Sequence, residues 1–417
     1  MKRIIINGGN TLKGTIKISG AKNSAVALVP ASLLSDEKVT IDNIPNISDI
    51  DNLNEILKYL GASVERKEDR IIIDPTTIEN KAIPEEAATK LRASYYFMGA
   101  LLGKYKKATM YFPGGCPIGA RPINLHLKGF EMMGAKIMQE QNKYTIIADE
   151  LKGANIYLDM PSVGATINIM LAAVKANGTT TIDNAAKEPE IVNVATFLNN
   201  MGAKIRGAGT STITIKGVKE LHHAYTEVIP DRIEAGTYVI AGALIGNQLK
   251  IDNIIPEHID SLLEKLKEMG ADISVGVDNV IVSKTDRLNP INVTTLGYPG
   301  FPTDLQQPLT TLLTKCDGLS TVKETIYENR FCNAKYLNEM GANIKITDKK
   351  IYVNGPSELV GKEVIATDLR AGACLVLAGL VAKGTTTVKN VEHVLRGYEN
   401  IIEKLNNVGA NIKLDEI

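Results

Sequence analysis

Charge of one sign is what this chain lacks most: 47 Lys and Arg stand against 47 Asp and Glu, so 417 residues carry a formal net charge of zero. Without a global field the chain is not built to draw in nucleic acid or a membrane surface, and any basic site must be local. Cysteine is scarce. The four, Cys116, Cys316, Cys332 and Cys374, form no CxxC pair and fall far short of a disulfide scaffold, which points to a reducing compartment and a cytoplasmic protein. Five histidines, His126, His222, His223, His258 and His393, show no metal-ligand spacing, so no metal is expected, and no cofactor. Long apolar runs are missing as well. The N-terminal MKRIIINGGN has three isoleucines and stops, well short of a signal peptide or a membrane span. The chain is nevertheless too long for one ordinary core, and two domains are expected.

What the sequence does have is internal repetition. YLGASV, MMGAKI, NMGAKI, EMGADI, EMGANI and NVGANI recur with their glycines at 61, 134, 202, 270, 341 and 409, separated by 73, 68, 68, 71 and 68 residues. Such a period is too long for a solenoid and suits a βαβαββ unit, repeated six times. Each Gly-Ala closes an amphipathic segment. Ile259, Leu262, Leu263, Leu266 and Met269 fall on one stripe of a 3.6-residue period with charges opposite, which predicts a helix on the outside that ends at a left-handed glycine.

The second helix of each unit is apolar nearly all round: SAVALVPASLL from Ser24, SYYFMGALLG from Ser94, GATINIMLAAV from Gly164, IEAGTYVIAGALIG from Ile233, DLQQPLTTLLT from Asp304 and AGACLVLAGLVA from Ala371. A helix without a polar face must be buried. Gly236, Gly242, Gly372 and Gly379 would let such helices approach closely. The expected fold is therefore α/β (α+β) with two similar domains, each of three βαβαββ units whose buried helices are surrounded by sheets and outer helices. Met1 to Gly9 resembles the second hairpin strand of other units (RIIIDPT, YTIIADE, KIYVNGP), which the last unit lacks. The domains are thus expected to be 22–229 and 1–21 with 230–417, the chain crossing near Ser19 to Lys22 and Ala224 to Asp231. A cleft between similar domains is a favoured ligand site.

Chemistry concentrates in two places. Tyr111 to Leu127, YFPGGCPIGARPINLHL, sets Cys116 in a Gly/Pro loop that can be neither helix nor regular strand, with Arg121 five residues on; a cation beside an accessible thiol favours thiolate. Cys374, in ACLVLAGLVA, reads instead as a small buried hydrophobe. The other place is the set of N-termini of the buried helices, where Lys22, Arg92, Arg232 and Arg370 oppose the helix dipole. Free N–H groups and guanidinium together bind anions. For Arg232 and Arg370 the expectation is an internal pair with Asp231 and Asp368. Lys22, Arg92, Arg121 and Arg396 have no acidic neighbour in sequence and are ligand candidates, with a solvated surface charge as the alternative. Asp304 is read either as a helix cap or as a carboxylate among cations and hence a general base. Glu188, Glu190 and Glu328 are expected to be caps or surface groups, while His126 and His393 lie near the proposed site.

With Lys22-Asn23, the PGGCPIGARP loop, the FPTD run and LRGYE in view, the whole chain resembles the enolpyruvyl transferases, in particular the branch acting on UDP-N-acetylglucosamine. The resemblance implies that family's inside-out α/β barrel fold. It also implies transfer of the enolpyruvyl group of phosphoenolpyruvate to the sugar 3-hydroxyl, with phosphate released through a tetrahedral intermediate, as the first committed step of peptidoglycan biosynthesis. Cys116 then matches the proton donor at the methylene carbon, able to form a covalent adduct and to be alkylated by fosfomycin. Lys22, Asn23, Arg121 and Arg396 match the phosphoenolpyruvate site. Asn23, Arg92, Arg121, Pro122, Ile123, Asn124, Leu125, Ser162, Val163, Gly164, Asp304 and Ile326 match the nucleotide-sugar site, with Asp304 accepting the hydroxyl proton. The chain departs from several relatives at Asp159, Met160 and Pro161, where a lysine precedes the Ser-Val-Gly run, so backbone groups and Arg92 are expected to hold the nucleotide instead. The competing readings are the shikimate-pathway synthase, whose first buried helix typically begins Gly-Ser-Lys-Ser where this chain has SGAKNS, and a non-catalytic nucleotide-sugar binder, which has no need of Cys116.

Overall fold

The computed structural model describes residues 2–112, 118–119 and 122–416. Its helices end where the repeat places its glycines. Gly61, Gly134, Gly202, Gly270, Gly341 and Gly409 all take positive φ, between 79° and 109°, and the alanine after each returns its N–H to the carbonyl five residues back, from Ala62 to Leu57 through Ala410 to Leu405, at 2.9–3.0 Å. The glycine N–H meanwhile bonds three residues back, as Gly134 does to Glu131 at 2.9 Å. Two otherwise orphaned carbonyls are thus satisfied at each helix end, in a Schellman geometry that a Cβ would strain.

The chain divides into two compact units, residues 20–112 with 122–229, and residues 2–19 with 118–119 and 230–416. Each is built around three buried helices. In the first these are Lys22–Ala31, Tyr96–Tyr105 and Val163–Ala173; in the second Arg232–Ile245, Thr303–Leu313 and Leu369–Val381. Nearly every residue of these helices is buried, apolar side chains predominating in all but Thr303–Leu313, which also buries Gln306, Gln307, Thr310 and Thr311; each large apolar side chain contributes about 1.5–3 kcal/mol. The helices with a charged face, such as Ser48–Leu60 and Asp260–Glu268, bury their apolar stripe, the first of them together with Asp49 and Asn54.

One sheet pattern recurs. In the first unit Asn155–Tyr157 runs parallel to Thr179–Asp183, which is followed by the antiparallel hairpin strands Thr212–Lys216 and Lys204–Arg206. The buried helix is the crossover between the parallel pair. One sheet of this unit has three strands, its parallel place held by the single bridge Ile83 to Met110, because Pro84 has no N–H with which to extend the ladder. Ala224–Glu227 runs parallel to Val39–Asp42 in the same unit. In the second unit Leu12–Lys17 runs parallel to Gly246–Asp252, and Lys2–Asn7 lies antiparallel between Thr385–Lys389 and Asn411–Glu416.

Of the glycines expected to admit close helix packing, one does so between buried helices. A Cβ on Gly236 would lie 2.5 Å from Leu305 Cδ1 of the neighbouring helix, whereas Gly242 faces Val282, Gly372 faces Val394 and Gly379 faces Ile6. The last three therefore make room for sheet strands and a short outer helix. In the first unit Gly99 has this role, with its Cβ position 2.4 Å from the Asn168 carbonyl oxygen.

Helix Arg232–Ile245 starts with Asp231 accepting the N–H groups of Ile233 and Glu234 at 2.8 and 3.0 Å. Glu234 is itself buried and accepts from Ser19 N–H at 2.9 Å and from Lys404 Nζ at 2.6 Å. Burial pushes its carboxyl up to about 7, with Lys404 pulling the other way. Lys404 also donates to Ser19 Oγ at 2.7 Å, and Ser19 Oγ donates to Glu399.

Candidate active site

In the unit of residues 230–416 the site forms around Asp304, the second residue of helix Thr303–Leu313. It is not a cap, since the N-cap position belongs to Pro302 and has no side-chain hydrogen bond. Its carboxylate is held by Arg330 and, at 3.0 Å, by Arg370. Both guanidinium groups are buried while Asp304 stays 27% exposed. Burial alone would raise the Asp304 pKa, but Arg370 and Arg330, with Arg232 behind them, hold it well below the usual carboxylate range. The carboxylate is therefore ionised and reaches the surface.

The internal pair expected for Arg370 exists, but with Asp304 instead of Asp368. Asp368 is spent on its own helix, accepting the N–H groups of Arg370 and Ala371 at 2.9 and 3.1 Å, and lies 3.8 Å from Arg330. Asp231 caps in the same way, and Arg232 stacks over Tyr298, 5.5 Å from the ring centre. Arg370 lies over Tyr398 at 5.3 Å.

Ile326 lies in a turn set by a residue that sequence reading passed over. Glu324 is buried and accepts from Thr295 Oγ1 at 2.8 Å, Thr303 Oγ1 at 2.9 Å, Ile326 N–H at 2.8 Å and Tyr327 N–H at 3.2 Å. It fastens the Ile326 turn to the start of the Asp304 helix. Arg330 was missed too; the ENRF run holding it has no local signature, and only its place opposite Asp304 reveals it. Arg396 closes the short helix Glu392–Leu395, and it and His393 are half-buried. Glu328 is exposed.

In the other unit Lys22 opens helix Lys22–Ala31 and pairs with Asp49 at 2.7 Å, the lysine side chain 11% exposed and the aspartate 2%. It is thus neither a surface charge nor without an acid; the partner simply lies on the next helix, Ser48–Leu60. Asn23 follows it, half-buried. Ser162 caps helix Val163–Ala173 through its side chain, accepting Ala165 N–H at 3.3 Å, and Val163 and Gly164 form the first turn. Pro122 and Asn124 are exposed, while Ile123 and Leu125 are buried at the start of helix Asn124–Met132. Met160 is 57% exposed, and Lys128 pairs with the neighbouring Asp159 at 2.8 Å. Glu188 and Glu190 are not side-chain caps, and Glu190 is buried, not at the surface. Cys116 and Arg121 lie outside the described residues.

Four of this unit's residues form a polar cluster. Arg92 lies over Tyr95 at 5.7 Å, Tyr95 meets His126 edge to face with ring centres 4.9 Å apart, and His126 Nδ1 is 2.9 Å from Asn168 Nδ2. Gly164 packs on the pair so closely that a Cβ there would be 2.7 Å from the Tyr95 hydroxyl. Burial, then the charge of Arg92, pushes His126 down to about 3, so the imidazole is neutral.

The family described as EPSP synthase (3-phosphoshikimate 1-carboxyvinyltransferase) matches residues 6–405. UDP-N-acetylglucosamine 1-carboxyvinyltransferase 2 of Geobacillus kaustophilus is 53% identical over 412 residues, 99% of this chain and 96% of that protein. The protein of the same name from Bacillus subtilis is also 53% identical, over 413 residues, with the same coverage. Among solved structures, the enolpyruvyl transferase NikO from Streptomyces tendae superposes with a TM-score of 0.91 at 28% identity, covering 99% of both chains. EPSP synthase from Acinetobacter baumannii, at 18% identity and a TM-score of 0.80 over the full length of both, shares the fold.

Proposed function

The chain belongs to the EPSP synthase family, and from that premise we infer that it is an enolpyruvyl transferase using phosphoenolpyruvate and UDP-N-acetylglucosamine. The observation that carries the choice of acceptor is the 53% identity, over nearly the whole chain, with proteins named for that reaction. The sugar 3-hydroxyl oxygen bonds to C2 of phosphoenolpyruvate while C3 takes a proton. Loss of that carbon's proton and of phosphate from C2 then restores the vinyl group.

Asp304 is assigned as acceptor of the hydroxyl proton. Between Arg330 and Arg370 it is a weak base, and an anionic substrate that draws those guanidinium groups toward itself raises its proton affinity when it is needed. Lys22, Asn23, Arg121 and Arg396 are assigned to phosphoenolpyruvate, whose carboxylate and phosphate call for preorganised positive charge. Arg92, Arg121 to Leu125, Ser162 to Gly164, Asp304 and Ile326 are assigned to the nucleotide sugar. Cys116 is assigned as proton donor to C3 and as the thiol that fosfomycin alkylates.

The family description favours a second acceptor, 3-phosphoshikimate. Phosphate release from phosphoenolpyruvate, measured with each acceptor in turn and after fosfomycin preincubation, separates the two. Turnover with UDP-N-acetylglucosamine alone, abolished by fosfomycin in the wild type and resistant to it in Cys116→Ser in any residual activity, is the expected result. Release only with 3-phosphoshikimate overturns the acceptor, and unchanged inactivation of Cys116→Ser overturns the thiol assignment.

A further inference from the structure

Asn168 is placed where the proposed reaction gives it no role, in the middle of the buried helix Val163–Ala173 and wholly inaccessible. A buried amide in such a position must have its hydrogen bonds satisfied by specific partners. Its Oδ1 accepts the Gly99 N–H at 2.9 Å, and its Nδ2 lies 2.9 Å from His126 Nδ1. The orientation of the amide follows from Gly99: turned over, it would set NH₂ against a backbone N–H. The NH₂ group therefore faces His126, and His126 Nδ1 must be the acceptor. In a neutral imidazole the proton is then on Nε2.

That Nε2–H has no hydrogen-bond partner among the described residues, although the His126 side chain is only 4% exposed. Its edge of the ring lies against the first turn of helix Val163–Ala173. A Cβ on Gly164 would sit 2.9 Å from His126 Cε1 and 3.1 Å from Nε2. The N–H groups of Val163 and Gly164, in that first turn, have no carbonyl a turn earlier to accept them. The groups gathered here are donors: two backbone N–H groups, the imidazole N–H and, beyond Tyr95, the Arg92 guanidinium.

We propose that Asn168 is a positioning residue which locks His126 as its Nε2–H tautomer, so that a neutral ring N–H donates to a phosphoryl oxygen of the ligand at the start of helix Val163–Ala173. The proposal rests on the reading above that the nucleotide sugar occupies Ser162 to Gly164. Because the donor is neutral, its share of the binding does not titrate near neutrality. Among the described residues, the titratable and charged groups near the ring are Arg92 and Tyr95 of the turn Arg92–Tyr95; the buried helix presents Asn168 and Gly164 to it. An Asp at 168 would keep an acceptor for Gly99 but demand a proton on Nδ1. Neutral His126 would then turn a lone pair toward the phosphate, and only the imidazolium could still donate.

The first test needs no substitution: ¹⁵N NMR of histidine-labelled wild-type protein at neutral pH should show His126 protonated at Nε2, with that signal moving when UDP-N-acetylglucosamine is added. An Nδ1–H tautomer or an imidazolium overturns the proposal, as does an Nε2 signal indifferent to a ligand that binds. The second test compares dissociation constants for UDP-N-acetylglucosamine across roughly pH 5.5 to 8.5. Wild type should be flat, and Asn168→Asp should weaken by about tenfold or more as pH rises, the loss of one hydrogen bond and its replacement by lone-pair repulsion; parallel profiles overturn the proposal. Should wild type fail to bind the nucleotide sugar at all, the functional reading has failed separately, and the titration is repeated with inorganic pyrophosphate. A moved Nε2 signal then supports the donor and an unmoved one overturns it.

Discussion

Glu234→Gln isolates the free energy stored in one buried carboxyl. In the folded chain Glu234 titrates at about 7, against an ordinary value of 4.5, because burial outweighs its pairing with Lys404. The folded state thus holds the proton more tightly than the unfolded chain. The stabilisation is fully present below the unfolded value and is lost as pH rises through the folded one, here from about 4.5 to about 7. The shift of about 2.5 units at about 1.36 kcal/mol per unit amounts to about 3 kcal/mol. Gln keeps an oxygen for the Ser19 N–H and does not titrate, and the weakened contact with Lys404 offsets the variant's stability without giving it this slope. The assay is urea unfolding of both proteins from roughly pH 4.5 to pH 8, with amide exchange of helix Arg232–Ile245 as the local readout. Wild-type stability minus variant stability should fall by about 3 kcal/mol across that range. A flat difference refutes the reasoning, and a rising one shows the ion pair to outweigh burial.

Gly236→Ala should cost about 1–3 kcal/mol, since its methyl group would meet Leu305 Cδ1 at 2.5 Å. Leu305→Ala alone should cost about 2–5 kcal/mol, and the double variant clearly less than the sum; additive thermal unfolding data would sink the packing argument. Asp304→Asn removes the negative charge between Arg330 and Arg370 while keeping its shape. Turnover should fall by about 10²–10⁴ with circular dichroism unchanged, and wild-type turnover would remove Asp304 from the chemistry. Glu324→Gln weakens a carboxylate with four donors on it. A loss of about 1–2 kcal/mol in charged hydrogen bonding should appear as roughly a tenfold higher KM for UDP-N-acetylglucosamine with kcat little changed, whereas a pure kcat effect would contradict its role in fixing the Ile326 turn.

The elements were legible where the determining chemistry is local. An apolar stripe opposite charges, closed by Gly-Ala, specifies an outer helix and its end without reference to the rest of the chain, and a helix apolar all round can only be interior. These two signals carried the fold class. The electrostatic partners were legible only in part, because an acid adjacent in sequence is often already committed. Asp368 points its oxygens at the N–H groups of its own helix, so Arg370 finds Asp304 instead. Lys22 reaches an acid 27 residues away, and Asp304 an arginine 26 away, separations that only the fold closes. Arg330 and Glu324 were invisible for the same reason. Of the four glycines expected to let buried helices approach one another, only Gly236 does so, while Gly242, Gly372 and Gly379 meet strands or a short outer helix, because composition cannot say which kind of element the neighbour is.

The six glycine-closed helix ends also make the chain a replicated experiment on itself. The same backbone geometry occurs in six surroundings, so one substitution made six times separates the intrinsic cost of a left-handed alanine from the cost of its neighbourhood. At Gly134, Gly202 and Gly270 the nearest atom to an added methyl is 3.4 Å away or more, whereas at Gly61, Gly341 and Gly409 a backbone carbonyl oxygen stands at 2.7, 2.9 and 3.0 Å. The first three sites are free to drift to Asn or another tolerant residue at the expense of conformational strain alone. At the other three a backbone carbonyl would have to shift to admit a side chain, least at Gly409, so mutational tolerance is unequal among positions that the repeat makes look interchangeable.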